Sequence, residues 1–361
     1  MKKQFGVLAP VFSLDGKYGI GTFGEESYRF SDFLAKSGAK VWQTLPLCQT
    51  VFGDSPYQTT ADCSFNPYFT DLDDLFEQGL LLKSELTSAE SENKRIDYGK
   101  LYRYRIALLK KAFSRFDFSD EFVEFVNGKE FDDYALFMAL KDEYGSSDNF
   151  PEEYKKRDKR ALSAFKEKNY ENYLFYVFTQ FTLKKQYGKL KKYANERGIK
   201  IMGDLPLYVA RDSAEVWKEP EVFALDKDMK PTLVAGVPPD YFSATGQLWG
   251  NPLYDWDKMK ADGFGWWIRR VEGAGKLYDV IRIDPFRGFE SYWAVPYGDK
   301  TARNGHWCPG PGMDLVGVLT SWFGNLDFIA EDLGYTTPAV EKLLADSKLP
   351  GMKILEFAFD A

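Results

Sequence analysis

Short apolar runs alternate along this chain with longer segments in which apolar residues recur every three or four positions. The short runs have the length of buried strands, and most end on acids, glycine or proline. The longer segments, such as Tyr28 to Leu34, have helical periodicity. Strands separated by helices predict a parallel α/β sheet whose functional edge is formed by the carboxyl ends of the strands. The predicted strands are residues 40–47, 199–204, 280–284, 328–332 and 352–359.

The segment from about Leu80 to Arg197 is predicted to be a helical insertion. Its Lys and Glu runs are interrupted by apolar residues at helical spacing, so we interpret the charges as solvated helix faces. A long helix from Asn172 to Arg197, closed by Gly198, returns the chain to the core. At 361 residues the chain is too long for one simple core, which leaves two domains or one large α/β barrel with insertions.

Three long segments without periodicity are predicted to be loops, the first two of them functional. Residues 48–67 carry Tyr57, which is either a sugar-stacking platform or a buried turn aromatic, and alone the second interpretation is the better one. Residues 234–256 contain three glycines that could act as the hinges of a lid. Residues 291–313 carry His306, the single histidine, which we expect to be a polar contact or bystander because no nucleophile elbow accompanies it.

Charge and composition narrow the classes of partner. The net charge is −7 with acids and bases interspersed, so neither nucleic acid nor an anionic membrane is expected as a partner. Three cysteines and one histidine cannot form an ordinary Cys/His zinc site and fit a reducing compartment, which predicts a cytoplasmic protein without a structural metal. No signal peptide or membrane-spanning run is recognised. An aromatic content of 17% hints at flat, hydroxyl-rimmed ligands such as sugars.

Carboxylates at the predicted strand ends are the candidates for chemistry. Arg282 and Asp284 are two residues apart in one strand and therefore on the same face, and Pro285 ends that strand. From these residues alone, a structural Asp–Arg pair and an ionised catalytic carboxylate are supported about equally. The acids predicted to share this sheet edge are Asp204, Asp284, Glu331 and Asp360.

Two carboxylates from consecutive strands are what a retaining glycosidase requires. One is the ionised nucleophile and the other the protonated acid, about 5–5.5 Å apart. Arg282 would keep Asp284 charged, whereas partial burial after an apolar strand would raise the pKa of Glu331. Alternation along the strand does not decide whether Glu331 or Asp332 points inward.

A series of short motifs is spread along the chain. They are Tyr18-Gly19-Ile20-Gly21, Trp42-Gln43, Leu45-Pro46-Leu47, Ser55-Pro56-Tyr57, Gly198-Ile199, Gly203-Asp204-Leu205-Pro206, Pro239-Asp240-Tyr241-Phe242-Ser243, Gly246-Gln247-Leu248-Trp249-Gly250-Asn251-Pro252-Leu253-Tyr254, Arg282-Ile283-Asp284, Phe286-Arg287-Gly288-Phe289, Ala330-Glu331-Asp332-Leu333-Gly334 and Pro350-Gly351-Met352. Any one could arise by chance. Their order and density resemble the family of 4-α-glucanotransferases called amylomaltases or disproportionating enzymes.

The resemblance implies an α/β fold, a (β/α)8 TIM barrel with inserted helical and loop subdomains, acting on α-1,4-glucans without cofactor or metal. Residues 1–79 would form the first part of the barrel with an active-site loop, and residues 80–171 the inserted helical subdomain. Residues 172–361 would continue the barrel, with the catalytic strands and the lid loop 234–256.

Residue by residue, the resemblance makes Asp284 the nucleophile and Glu331 the general acid and then base, with Arg282 supporting the nucleophile. The implied reaction transfers α-1,4-glucan segments between maltooligosaccharides, or glucans derived from starch or glycogen, through a covalent glycosyl-enzyme. The alternatives are an α-glucan hydrolase and a non-catalytic glucan-binding protein. The residues expected to contact the glucan are Tyr57, Asp240, Trp249 and Asn251.

Two departures from the family pattern bear on these expectations. Pro285 stands where the family has His directly after the nucleophile, so a hydrogen bond to the bound sugar is expected to be missing or supplied otherwise. The family's third essential acid, an Asp in a His-Asp motif, lies beyond the last residue here, and no such motif occurs in this sequence. We therefore expect these residues to be a fragment of a longer chain, without the last barrel strands.

Overall fold

The chain forms two compact units in the computed structural model. One unit comprises Gln4–Ile201 with Asp212–Lys218, and the other comprises Met202–Arg211 with the chain from Glu219 onward. The structure describes residues 4–51, 53–62, 64–91, 95–241, 243–334 and 336–359.

The strands and helices of the described residues follow in chain order. The strands are β1 (Gly6–Leu8), β2 (Val41–Gln43), β3 (Lys200–Pro206), β4 (Leu233–Val237), β5 (Gln247–Pro252), β6 (Val280–Asp284), β7 (Ser291–Pro296), β8 (His306–Pro309) and β9 (Asp327–Ala330). The α-helices are α1 (Glu25–Ser37), α2 (Leu72–Glu77), α3 (Lys83–Ala89), α4 (Tyr98–Ser114), α5 (Asp120–Gly128), α6 (Asp132–Tyr144), α7 (Glu152–Lys155), α8 (Lys159–Lys168), α9 (Tyr170–Glu196), α10 (Ala214–Lys218), α11 (Trp256–Ala261), α12 (Gly265–Leu277), α13 (Met313–Trp322) and α14 (Pro338–Ser347).

The first unit joins a parallel strand pair to a group of helices. β1 and β2 are parallel, with Gly6 opposite Val41, and α1 lies between them in sequence. α1 ends at Gly38, whose φ of 84° is the left-handed conformation that makes glycine the preferred residue at this position. The helical character predicted for residues 80–197 is confirmed by α3 to α9. The division of the chain into three sequence domains stays a prediction.

The 27-residue helix α9 is the centre of the apolar core in that unit. Its residues are buried along most of its length, and it packs against α4, α5 and α6. Aromatic side chains such as Phe122, Phe137 and Phe178 are at most 1% exposed in this core. Every residue from Tyr173 to Leu183 is buried, so the first half of α9 is enclosed on all sides and the helical periodicity of the whole helix is weak in the sequence.

Parallel strands carry the predicted functional edge in the second unit. From Met202 onward, β3 pairs with β6, and β6 pairs with β9, so that Val280 lies opposite Met202 on one side and Asp327 on the other. Ile281 and Ile283 are 1% and 2% exposed. Near-continuous apolar strands of this kind are expected where both faces of a parallel sheet are covered.

An antiparallel sheet occupies two segments that the sequence predicted to be irregular loops, and that prediction was wrong. β4, β5, β7 and β8 pair in the order β5-β4-β7-β8. A register shift interrupts the β4–β5 pair between Val234 and Gly236, and Gly250 of β5 has a φ of 77°. Such irregular strands lose the strict alternation by which a sequence reveals a strand.

The strand predicted at residues 352–359 was also wrong. Its end is the 3-10 helix Leu355–Phe359, none of whose residues is buried. A short apolar run does not by itself distinguish a strand from a helical turn. By contrast, α14 begins as predicted, with Thr337 capping it and Pro338 at its first position. None of the helices in the described ranges is long and apolar enough to cross a membrane.

Candidate active site

Asp284 and Glu331 are neighbours at the carboxyl ends of β6 and β9. The backbone pairing continues past both strands, since Glu331 N donates to Ile283 O at 3.0 Å and Phe286 N donates to Glu331 O at 3.2 Å. On the other side of β6, Leu207 N donates to Asp284 O at 2.6 Å. Hydrogen bonds to adjacent strands therefore hold both residues at one edge of the sheet.

The register of the strands decides the orientation that alternation alone left open. Arg282 lies opposite Asp204 of β3 and Ile329 of β9. Two residues further along, Glu331 falls beside Asp284, so both carboxylates share the face that carries Arg282.

Asp332 is turned away from that face. Its Oδ1 accepts the backbone N–H of Met352 at 2.9 Å, and the backbone of Gly351 passes so close that an added Cβ would lie 2.2 Å from the other carboxylate oxygen. Asp332 therefore fastens the chain at residues 351–352, and Glu331 is the acid beside Asp284. The fourth acid predicted for this edge, Asp360, lies outside the described residues.

Arg282 joins two carboxylates in one ion-pair group. Its Nη1 lies 2.6 Å from Asp204 Oδ1 and 2.6 Å from Asp284 Oδ2, while its Nε donates to the sulfur of Met352 at 3.2 Å. The side chain of Asp204 is fully buried, whereas 21% of the Asp284 side chain is exposed. Burial lowers the pKa of Arg282, but the charges and hydrogen bonds of both carboxylates outweigh it and hold that pKa above its ordinary value.

Glu331 has the environment of a proton donor. It is 7% exposed, and burial, followed by the negative charge of Asp284, raises its pKa to about 7. Arg282 and the N–H of Leu333, which donates to Glu331 Oε1 at 3.0 Å, oppose the rise without cancelling it. Near neutral pH, the site therefore presents an Arg-paired carboxylate beside a carboxyl group that can carry a proton.

A buried layer of hydrogen bonds supports the backbone next to Asp284. The carbonyl of Leu207, whose own N–H donates to Asp284 O, accepts from Tyr254 Oη at 2.8 Å and from Arg270 Nη1 at 3.1 Å. Sequence motifs include Tyr254 and Met352, but they assign neither of these residues, nor Arg270, a role at the site. Their contacts join segments far apart in the chain, and no local motif indicates such contacts.

Two of the four predicted glucan contacts, Trp249 and Asn251, lie on β5. The indole N–H of Trp249 donates to Gln247 Oε1 at 3.1 Å, and its ring lies 6.4 Å from that of Tyr208. Asn251 is buried and donates from its side-chain amide to Val209 O at 2.8 Å, so it holds residues 207–210 in place. The contact of either residue with a sugar stays a prediction.

The other two predicted glucan contacts, Asp240 and Tyr57, are in separate units. Asp240 is exposed, and its Oδ1 accepts the N–H of Ser243 at 2.7 Å, which closes a turn at the tip of the β4–β5 connection. Tyr57 belongs to the first unit, is partly buried, and its backbone N–H donates to Ser55 Oγ at 3.3 Å. Their roles towards a ligand also stay predictions.

Comparison with known proteins identifies the family. Residues 9–361 match the family described as 4-alpha-glucanotransferase. The 4-alpha-glucanotransferase of Clostridium butyricum is 45% identical over 97% of this chain and 74% of its own length, and that of Aquifex aeolicus is 46% identical over 98% and 74%. The amylomaltase of Streptococcus agalactiae, solved in complex with acarbose, superimposes with a TM-score of 0.93 at 41% identity, covering 99% of this chain and 74% of that one.

These likenesses confirm the resemblance inferred from the motifs, and with it the α/β fold class. The amylomaltase of Corynebacterium glutamicum, at 23% identity and a TM-score of 0.79, has the same fold. The chain therefore belongs to the 4-alpha-glucanotransferase family, whose fold is an α/β barrel with inserted subdomains.

Proposed function

We propose that the protein is a retaining 4-α-glucanotransferase in which Asp284 is the nucleophile and Glu331 the general acid and base. The assignment of these two residues rests on one structural observation. Two carboxylates share a face at the ends of adjacent strands, one paired with Arg282 and the other with its pKa raised to about 7. A retaining mechanism needs this combination of an ionised and a protonated carboxyl group.

In the first step, the Asp284 carboxylate attacks the anomeric carbon of an α-1,4-linked glucosyl unit. The glycosidic bond breaks, and Glu331 transfers its proton to the departing 4-oxygen, leaving a glycosyl ester on Asp284. Arg282 orients the attacking carboxylate, and Asp204 in turn fixes Arg282 through the buried ion pair.

In the second step, the 4-hydroxyl of an acceptor glucan replaces the leaving group. Glu331, now ionised, takes the proton of that hydroxyl. The acceptor oxygen attacks the anomeric carbon, and the ester bond to Asp284 breaks. Two inversions at the same carbon restore the α configuration. A water molecule in place of the acceptor would give hydrolysis, so transfer requires that the acceptor outcompete water.

The proposed substrates are maltooligosaccharides and other α-1,4-glucans, such as those derived from starch or glycogen. The complex of the related S. agalactiae amylomaltase with acarbose supports this substrate class. We assign contacts with the glucan to Tyr57, Asp240, Trp249 and Asn251, and no cofactor or metal takes part in the proposed chemistry. A cytoplasmic location is proposed because the sequence has three cysteines, an odd number at no metal-like spacing, which fits a reducing compartment.

Incubation of the full-length protein with maltotriose tests the proposed reaction. Transfer yields glucose together with maltooligosaccharides longer than maltotriose, whereas hydrolysis yields only shorter sugars. The Asp284→Asn variant should form neither set of products. Shorter sugars alone would favour an α-glucan hydrolase, and binding of maltotriose without turnover would favour a glucan-binding protein.

A further inference from the structure

A partly exposed tryptophan lies at the edge of the antiparallel sheet. Trp307 on β8 is 44% exposed, yet other side chains hold its ring from two directions. The guanidinium carbon of Arg287 is 4.2 Å from the ring centroid, and the ring of Trp293 lies 5.3 Å away at an interplanar angle of 69°. Because the ring is already ordered, a ligand that stacks on it loses little additional conformational freedom.

Polar side chains adjoin Arg287 next to the Trp307 ring. Arg287 Nη2 donates to Ser291 Oγ at 3.4 Å, and Ser291 Oγ donates to Glu290 Oε2 at 2.5 Å. A pyranose ring has an apolar C–H face rimmed by hydroxyl groups. An ordered indole bordered by a guanidinium, a hydroxyl and a carboxylate offers complementary chemistry to both parts of such a ring.

This site is close in sequence to the proposed nucleophile. Arg287 follows Asp284 by three residues, which limits the separation of their Cα atoms to about 10–11 Å. A 3-10 helix, Phe286–Phe289, connects β6 to β7. A glucan with one bond at Asp284 therefore needs to extend only a few glucosyl units to reach Arg287 and Trp307.

The Trp307 site is distinct from the predicted contact at Trp249. Across the sheet, Trp307 lies opposite Trp293, Trp293 opposite Gly236, and Gly236 opposite Leu248. Trp249 on β5 has different partners, since its ring lies 6.4 Å from that of Tyr208 and its indole N–H donates to Gln247 Oε1 at 3.1 Å. The two tryptophans can therefore be substituted independently.

We propose that Trp307, held by Arg287 and Trp293, is a stacking site for glucosyl units remote from the bond that Asp284 attacks. It determines how strongly the protein prefers long over short α-1,4-glucans. This inference rests on the proposed function in that its ligand belongs to the same substrate class. Trp307 makes no contact with the reacting atoms, so its effect is on binding rather than on the chemical steps.

Calorimetric titration of the full-length Asp284→Asn protein with maltotriose and maltoheptaose tests this site. Trp307→Ala should raise the Kd for maltoheptaose about tenfold and change the Kd for maltotriose less than about twofold. Trp307→Phe, which keeps a smaller aromatic face, should have an intermediate effect. Trp322→Ala is the matched control, because Trp322 at the end of α13 is 66% exposed, and it should change neither Kd.

An unchanged Kd for maltoheptaose in both Trp307 variants overturns the inference. An equal loss of affinity for both sugars also overturns it. A lower kcat on maltotriose, measured with a Trp307 variant that retains Asp284, does the same. In either case Trp307 would only support the structure of the Arg287 segment. If Trp307→Ala does not fold, Trp307→Phe decides between these outcomes. The two proposals can fail separately. If the unsubstituted protein transfers no glucosyl units, the proposed function is contradicted. If the Trp307 variants nevertheless lose affinity for maltoheptaose alone, the stacking site is still supported.

Discussion

At the scale of single residues, Glu331 sets the expected pH dependence. Its pKa of about 7 follows from burial and from the charge of Asp284. The first step needs Glu331 protonated, so kcat/KM for transfer should fall as pH rises through about 7. Initial rates between pH 5 and 9 check this, with Glu331→Gln expected to be at least about 100-fold slower throughout. A flat profile between pH 6 and 8 would contradict the assignment of the acid.

Glu331 also couples folding stability to pH. Its pKa is about 7 in the folded protein against an ordinary 4.5, so the folded state retains a proton that the unfolded state releases. The free energy of unfolding therefore falls as pH rises from about 4.5 to about 7, by up to about 3 kcal/mol. A glutamine at this position does not titrate, so the free energy of unfolding of Glu331→Gln should not fall in this way. The variant should therefore be more stable than the unsubstituted protein at pH 8 but not at pH 4. Urea unfolding at both pH values measures the difference; equal effects at both would contradict it.

The buried ion pair between Asp204 and Arg282 has a positioning role. Asp204→Asn removes one of the two charges that Arg282 Nη1 contacts, so the guanidinium is less firmly oriented towards Asp284. We expect kcat to fall about 10- to 100-fold with a smaller change in KM, and stability to fall by roughly 3 kcal/mol. Asp314→Asn, which breaks an exposed pair with Lys260, is the control and should be nearly neutral. A normal kcat for Asp204→Asn would show that Asp204 does not position Arg282 for catalysis.

At the scale of elements, one glycine lets β3 pack closely against the ring of Tyr278, the residue that follows α12. A Cβ on Gly203 would lie 2.1 Å from ring atoms of Tyr278, which is 4% exposed and cannot easily move. Gly203→Ala should therefore lower the free energy of unfolding by about 1–3 kcal/mol or more. Gly188→Ala, at an exposed position of α9 with open space around it, should instead raise it by up to about 1 kcal/mol. Denaturant titrations compare the two, and a neutral Gly203→Ala would show that the ring can shift.

The elements also show which structure could be predicted from sequence. β6, β9 and α14 were predictable because each combines a regular pattern with a clear end signal, such as Pro285 or Thr337. The antiparallel sheet was not, since its short strands are interrupted by glycines and a register shift. At the site, Asp284 was predictable as a strand-end acid, whereas the choice between Glu331 and Asp332 needed the register of β6 and β9. Met352 was not, because its contact with Arg282 joins residues 70 positions apart.

At the scale of the whole molecule, the family assignment and the geometry support each other from independent directions. Similarity over essentially the whole chain identifies a 4-alpha-glucanotransferase family member without saying what any residue does. The register of β6 and β9, and the environments of the two acids, supply the residue roles. Pro285, which differs from the family pattern, directly follows the proposed nucleophile, and its effect on activity stays a prediction.

The central claim is that Asp284 forms a covalent bond to the donor sugar, and trapping that ester tests it most directly. The Glu331→Gln variant of the full-length protein should form the ester when it is treated with an α-glucosyl fluoride, because fluoride can leave without receiving a proton. The ester should then break down slowly, because no general base remains to deprotonate the acceptor hydroxyl. Proteolysis and mass spectrometry should find one glucosyl unit on the peptide that contains Asp284, and none in Asp284→Asn. A glucosyl unit on Asp204 or another acid, or turnover of the fluoride that continues in Asp284→Asn, would contradict the account.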